Sequence, residues 1–312
     1  MLVFEGVSKR FGAGVALSEL DLSANSGAIT AVIGPNGAGK STAFKIAVGL
    51  LEADAGAVKW RGSPIRAALH GSQIGFLPEE RGLYQDVCVE HLLRYWGALR
   101  GLTRPGADAA TRWWLKRMDL VSRRNEIVRT LSKGNQQKLQ LAACLLHGPE
   151  LVVLDEPFSG LDPQNQEEAC DVIRAQRERG AVVIISAHQL PLVERLADHV
   201  VLLSGGRHLE QGILDVPVAD SDHPGQVVRI WIREFGDLGL LVPELGGTLV
   251  ERAVGYIRVS FDSRDLSELF SALATLASSP CVSGIEIERN DLHRRYVEAI
   301  AGLGDSGSGN GH

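Results

Sequence analysis

Between Gly34 and Thr42 the chain reads GPNGAGKST, which places glycines, one lysine and two hydroxyls in the spacing G-x-x-x-x-G-K-[ST]. That set of residues suits phosphate. The glycines let the main chain of Gly34, Pro35, Asn36, Gly37, Ala38 and Gly39 wrap around phosphate oxygens, so that its N–H groups (proline has none) converge on them. Lys40 reaches the outer phosphates, and Ser41, followed by Thr42, offers a hydroxyl to Mg²⁺. A second run, LVVLDEP at Leu151–Pro157, is apolar and ends in two carboxylates. Asp155 can hold Mg²⁺ through water, and Glu156 can orient and deprotonate an attacking water. Alone, an acidic pair after a strand is more often a helix N-terminal charge; beside a phosphate loop it is a candidate for hydrolysis.

Both runs need strands behind them and helices ahead. Ala28–Ile33, Leu151–Leu154 and Ala181–Ser186 are continuous apolar runs, as buried parallel strands are. Leu2–Glu5 and Leu17–Ser23 alternate or nearly so, and Val58–Trp60 and Ile74–Leu77 are shorter strands. Helices are expected over Lys40–Leu50, Val89–Arg100, Ala107–Leu120, Ser132–Leu146, Pro163–Arg179 and Pro191–Ala197. Val200–Leu203 and His208–Gln211 form a hairpin turning on Ser204-Gly205-Gly206. The pattern predicts an α/β parallel sheet over residues 1–214, with an all-helical insertion at about 84–149. A turn-rich linker, 215–225, leads to a small α+β domain at 226–302. There Val227–Arg233, Tyr256–Phe261 and Val282–Ile287 read as strands, and Leu266–Ala277 and Leu292–Ala301 as helices. Residues 303–312 read as a flexible tail.

Composition narrows the function. With 45% hydrophobic and 22% charged residues, 312 residues are ordinary globular material for two domains. No apolar run is long enough to cross a membrane, and no secretory signal is visible, so the reading is a chain that starts in the cytosol. A net charge of −6 argues against a nucleic-acid partner. The four cysteines, Cys88, Cys144, Cys170 and Cys281, match no metal-ligand spacing.

The ordered motifs resemble those of the ATP-binding subunits of ABC transporters over residues 2–214. LSKGNQQK at Leu131–Lys138 matches that family's signature sequence, SGLD at Ser159–Asp162 its D-loop, and SAHQ around His188 its switch histidine. The resemblance implies a P-loop ABC-type ATPase domain, with a parallel sheet, antiparallel N-terminal strands and a helical insertion. It implies ATP as substrate and Mg²⁺ as cofactor. It further implies a head-to-tail dimer with a second ATP-binding subunit, in which Ser132 and Gly134 face the γ-phosphate held by the partner's loop. A separate transmembrane permease subunit would place the protein at the cytoplasmic face of a bacterial cell membrane, working as an exporter. His188 would sense the γ-phosphate, and Phe11, in SKRFG, would stack on adenine where the family usually has tyrosine. Read singly, Ser132 is equally a helix N-cap, His188 a core or surface histidine, and Phe11 a core aromatic.

Three positions depart from the family pattern. Lys133 and Asn135 replace a glycine and a glutamine of the signature. Glu79, in PEERGLY, stands where a glutamine usually contacts Mg²⁺; it either faces the metal or turns away to pair with Arg81. PEERGLY, LSKGNQQK and the C-terminal domain together look like a subgroup that includes sodium-extruding bacterial transporters. The competing reading is a soluble ABC-type ATPase acting on a ribosome or chromosome. A single cassette, the acidic charge and the lack of sustained heptads weigh against it.

Overall fold

A computed structural model describes residues 1–80, 82–187, 189–208, 226–232, 242–243, 245, 247–253, 256–261, 275–276 and 282–288. Arg81, His188, Cys281, the 215–225 linker, the 303–312 tail, the helix expected at Leu292–Ala301 and most of that expected at Leu266–Ala277 lie outside the described residues. The chain divides into two compact units, Met1–Ala219 and Asp220–His312.

In the first unit, β1 (Leu2–Phe11) and β2 (Gly14–Ala24) form a hairpin, and β3 (Ala28–Ile33) is buried at every residue. The chain continues through α1 (Lys40–Ala47), β4 (Ala55–Trp60), β5 (Ser63–Pro64), α2 (Ile65–Ala68) and β6 (Ile74–Leu77). Three helices follow, α3 (Val89–Leu99), α4 (Arg104–Arg117) and α5 (Lys133–Leu145). Then come β7 (Leu151–Leu154), α6 (Pro163–Glu178), β8 (Val182–Ser186), α7 (Leu190–Leu196), β9 (His199–Ser204) and β10 (Arg207–His208).

These strands make two sheets. An antiparallel sheet has the order β2-β1-β4-β5, and a six-stranded sheet has the order β10-β9-β3-β8-β7-β6. The latter is parallel except for β10. Its register aligns Val32 of β3 with Ser186 of β8, and Leu154 of β7 with Ile185 of β8. The loops leaving β3 and β7 therefore emerge at the same edge, where ligands bind in open parallel sheets. Leu2, Leu17, Phe44, Val153 and Ile184 help fill one continuous core between the two sheets and α1.

Local chemistry moves some helix ends from the expected positions. Helix α4 starts at Arg104, not Ala107, because Thr103 Oγ1 accepts the Gly106 N–H at 3.3 Å and Pro105 fits the first turn. It ends at Arg117, before Asp119 takes φ 52°. Helix α1 stops at Ala47, short of Leu50, since Gly49 turns the chain at φ 74°.

In the second unit, β11 (Gln226–Ile232), β12 (Gly247–Ala253), β13 (Tyr256–Phe261) and β14 (Val282–Glu288) form an antiparallel sheet ordered β12-β13-β11-β14. Strand β12 was not expected, because its apolar residues Leu249 and Val250 are adjacent and give no alternation.

Candidate functional site

The phosphate-loop residues form a tight turn between β3 and α1, and its glycines are there for two different reasons. At Gly34 an added Cβ would lie 2.1 Å from the Leu203 carbonyl oxygen, so the requirement is space. At Gly39 it is both space and conformation, with φ 103° and a Cβ position 2.4 Å from the Ala16 oxygen. The loop is braced from behind: the Gly206 N–H, in the β9–β10 turn, donates to the Ala38 carbonyl at 3.1 Å. Lys40 is buried, and its ammonium donates to the carbonyls of Gly34 at 2.8 Å and Pro35 at 3.2 Å. The cation is thus held against the loop by its own backbone.

A cavity of about 300 Å³ opens over this loop. It is lined by Asn36, Gly37, Ala38, Gly39, Lys40, Ser41 and Thr42 on one side and by Glu79, Asp155 and Glu156 on the other. Ala16 of β2 adds an apolar wall. The expected candidates from three distant segments therefore meet. An all-oxygen set of one hydroxyl and carboxylates suits a hard cation such as Mg²⁺, which keeps waters and phosphate oxygens as its remaining ligands. Among the described residues, no cluster of three or more His, Cys, Asp or Glu residues is arranged to hold a metal ion.

The acidic step is fixed by groups that local sequence did not flag. Asp155 is 3% exposed, and its N–H donates to the Leu77 carbonyl at 2.8 Å. The Ser186 hydroxyl donates to Asp155 Oδ1 at 2.6 Å and accepts the Glu156 N–H at 3.0 Å. Glu156 itself has φ 52°, a left-handed conformation uncommon for a residue with a side chain. Gln137, buried on α5, donates from Nε2 to the carbonyls of Pro157 at 3.0 Å and Glu156 at 3.4 Å. One helical turn on, Gln140 Nε2 donates to the Pro78 carbonyl at 3.3 Å, next to Glu79.

Ser132 caps α5, its Oγ accepting the Asn135 N–H at 3.3 Å. Neither Ser132 nor Gly134 lines the cavity of its own chain; Gly134 instead lies beside Gly160, whose oxygen would be 3.3 Å from an added Cβ. Phe11 does not line the cavity either. It sits at the tip of the β1–β2 hairpin that supplies Ala16, with 55% of its surface exposed, and so is not the core aromatic of the competing reading. His188, two residues beyond the end of β8, lies outside the described residues.

A second cavity of about 420 Å³ lies between β6, α3 and α5. Leu50, Phe76, Leu83 and Trp96 give it an apolar lining, with Arg100 and Gln140 as polar points. Leu50 is 67% exposed there; Tyr84 and Tyr95, each next in the chain to a lining residue (Leu83 and Trp96), are exposed and pack edge to face at 5.9 Å.

Comparison with known proteins is consistent with this geometry. A family model described as ABC transporter matches residues 17–159. The chain is 32% identical, over 97% of its own length and 99% of the relative's, to an uncharacterised ABC transporter ATP-binding protein, YhaQ, of Bacillus subtilis. It is 31% identical to the daunorubicin resistance ATP-binding protein DrrA3 of Streptomyces coeruleorubidus, over 96% of this chain and 94% of that one. Among solved structures, an ATP-binding subunit of an ABC transporter superposes with a TM-score of 0.63 at 30% identity, covering 67% of this chain and 88% of that one. A dimeric bacterial ABC transporter cassette shares the fold, with a TM-score of 0.61 at 21% identity over 67% of this chain and 96% of that one.

Proposed function

The chain belongs to the ATP-binding proteins of ABC transporters and is an ATP hydrolase, and on that premise we propose how its residues divide the work and what it drives. The observation that carries the proposal is the single cavity shared by Lys40, Ser41, Glu79, Asp155 and Glu156. Loop amides and Lys40 bind the ATP phosphates, the α1 amino end adding its partial positive charge. Ser41, Asp155 and Glu79 hold Mg²⁺, which when bound neutralises charge on the β- and γ-phosphates. Glu156 takes a proton from a water aimed at the γ-phosphorus, whose bond to the bridging oxygen of ADP breaks, giving ADP and phosphate. His188 contacts the γ-phosphate and Phe11 stacks on adenine.

Ser132 and Gly134 lie away from their own chain's loop and complete the site of a second ATP-binding subunit in a head-to-tail dimer. Conversion of ATP to ADP then opens the pair. Residues 1–214 form the ATP-binding domain, with residues 226–302 an accessory domain. The force is delivered to a separate transmembrane subunit, and no helix among the described residues is long and apolar enough to cross a membrane. The groove around Leu50, Leu83 and Trp96 is the support for that partner, since an apolar concavity with a largely exposed leucine marks a protein contact. Export is the direction favoured by a relative of Burkholderia lata, 33% identical over 67% of this chain and 69% of that one, whose name is Nod factor export ATP-binding protein I.

The test is recovery from detergent-solubilised membranes, with partners identified by mass spectrometry. A multi-span membrane protein should co-purify with the natural chain. Leu50→Glu should reduce its yield at least several-fold while ATP binding persists, because Leu50 is largely exposed and its replacement spares the core. Absence of any membrane protein would contradict the transmembrane reading, and equal yield from Leu50→Glu would contradict the groove as its contact.

A further inference from the structure

We infer that Ser186 is a positioning residue for ATP hydrolysis: its one hydroxyl fixes both the carboxylate of Asp155 and the backbone of Glu156. The inference rests on the reading of Glu156 as the water-activating base and adds the group that aims it. Strand β8 lies between β3 and β7, so its carboxyl end runs between the phosphate loop and the acidic step. Register sets Val32 opposite Ser186 on one side, and Leu154 opposite Ile185 on the other, which brings Ser186 beside Asp155.

A hydroxyl has one proton to give and lone pairs to receive with. Here the proton goes to Asp155 Oδ1 at 2.6 Å, and a lone pair takes the Glu156 N–H at 3.0 Å. The short bond to a carboxylate is of the charge-assisted kind, stronger than a neutral pair. Ser186 is 0% exposed, so in the natural chain both bonds are shielded from solvent. The hold matters most at Glu156, whose φ of 52° is not a conformation a glutamate backbone keeps unaided. The N–H of that residue is held by Ser186, and its carbonyl by Gln137 from the opposite side at 3.4 Å. Release of the N–H lets the chain relax toward φ below zero, which swings the side chain. The carboxylate of Asp155 loses its fixed rotamer in the same event. Binding of the phosphates without metal, which rests on the β3–α1 loop, is untouched.

Three variants separate a positioning hydroxyl from simple packing. Ser186→Thr keeps the hydroxyl, Ser186→Val has the shape of threonine without it, and Ser186→Ala removes it without added bulk. Steady-state kcat and KM for ATP, and ATP affinity from equilibrium binding, are measured for each beside Glu156→Gln. Loss of a group that orients a reacting carboxylate costs about 10- to 100-fold in activity. Ala and Val are therefore expected to lower kcat about tenfold or more, with KM at saturating Mg²⁺ and the affinity for metal-free ATP held near the natural values. Threonine should recover most of the rate. Ala or Val turning over as fast as the natural protein would overturn the inference, as would Thr as slow as Val. Loss of ATP binding in all three would make Ser186 a structural residue and overturn it as well. Full turnover by Glu156→Gln is the separate result that would remove the underlying reading of Glu156, whatever the Ser186 variants do.

Discussion

At the scale of single residues, Glu79 is the departure with a chemical consequence. It lines the cavity with Ser41 and Asp155, which places a third carboxylate on the side where the cation is proposed to sit. A carboxylate there is attracted to Mg²⁺ and repelled by phosphate, so its net effect depends on the metal being present. Glu79→Gln should raise the Mg²⁺ concentration for half-maximal ATPase activity by about tenfold, and leave binding of metal-free ATP no weaker. An unchanged Mg²⁺ titration would mean Glu79 takes no part in holding the cation.

His147 is a residue-scale case outside the site. Its Nε2–H donates to the Ile74 carbonyl at 3.1 Å, tying the segment after α5 to β6. Burial, reinforced by the Arg100 guanidinium, pushes its pKa down to about 4, against the weaker opposing pull of the Ile74 carbonyl. The folded protein therefore keeps His147 neutral where the unfolded chain, titrating near its ordinary value of about 6.5, binds a proton. Stability is complete above that value and declines as pH falls from about 6.5 towards 4. Asp162 and Glu167, whose carboxyls are held below the usual range by the Asn165 amide and the Arg195 guanidinium, lose their contribution only at lower pH. Thermal melts between pH 7 and pH 5 should thus show a decline that His147→Gln flattens; equal slopes in both proteins would count against a buried neutral His147.

At the scale of elements, the phosphate loop depends on neighbours that are remote in the chain. The β9–β10 turn holds it through the Gly206 N–H bond to Ala38, and Gly206 also packs on β2, where an added Cβ would lie 2.6 Å from the Ala16 oxygen. Gly205, the preceding residue, has φ 55° but open space around a Cβ. Alanine at either position incurs left-handed strain of about 1–2 kcal/mol, but only Gly206→Ala also displaces the brace. ATP affinity should fall about three- to tenfold in Gly206→Ala and stay near the natural value in Gly205→Ala. Equal affinities would mean that the turn does not support the loop.

This is also the scale at which the sequence stops being legible. The phosphate loop, the acidic pair and the strands behind them are written in contiguous residues, so spacing and apolar runs were enough to place them. Ser186 reads as the last residue of a strand and the first of the SAHQ motif, and neither points to its two hydrogen bonds, which depend on β8 pairing with β7. Gln137 read as part of a signature motif, and nothing in its spacing pointed at the Glu156 and Pro157 carbonyls. Ala16 lines the site through the fold of a hairpin, and β12 escaped notice for want of alternation. Contacts made by sheet register and helix docking are settled by tertiary structure, not by local pattern.

At the scale of the whole molecule, the proposed pairing of two chains would make the buried acidic step a switch between subunits. The same helix α5 that begins at Ser132 grips the turn after β7 through Gln137 and the Pro78 carbonyl through Gln140. A group bound at the start of α5 is therefore mechanically continuous with the acidic wall of its own chain's cavity, at Glu79 and at Glu156. With ATP and Mg²⁺, a chain that binds but does not cleave should accumulate as the proposed dimer. The most direct measurement is steady-state hydrolysis by Glu156→Gln, with ATP binding and mass in solution recorded on the same samples. The expected result is ATP bound at natural affinity, turnover lowered by about 100-fold or more, and a mass of two chains that requires ATP. Turnover at the natural rate in a folded, ATP-binding Glu156→Gln protein would contradict the assignment of Glu156 and the mechanism built on it.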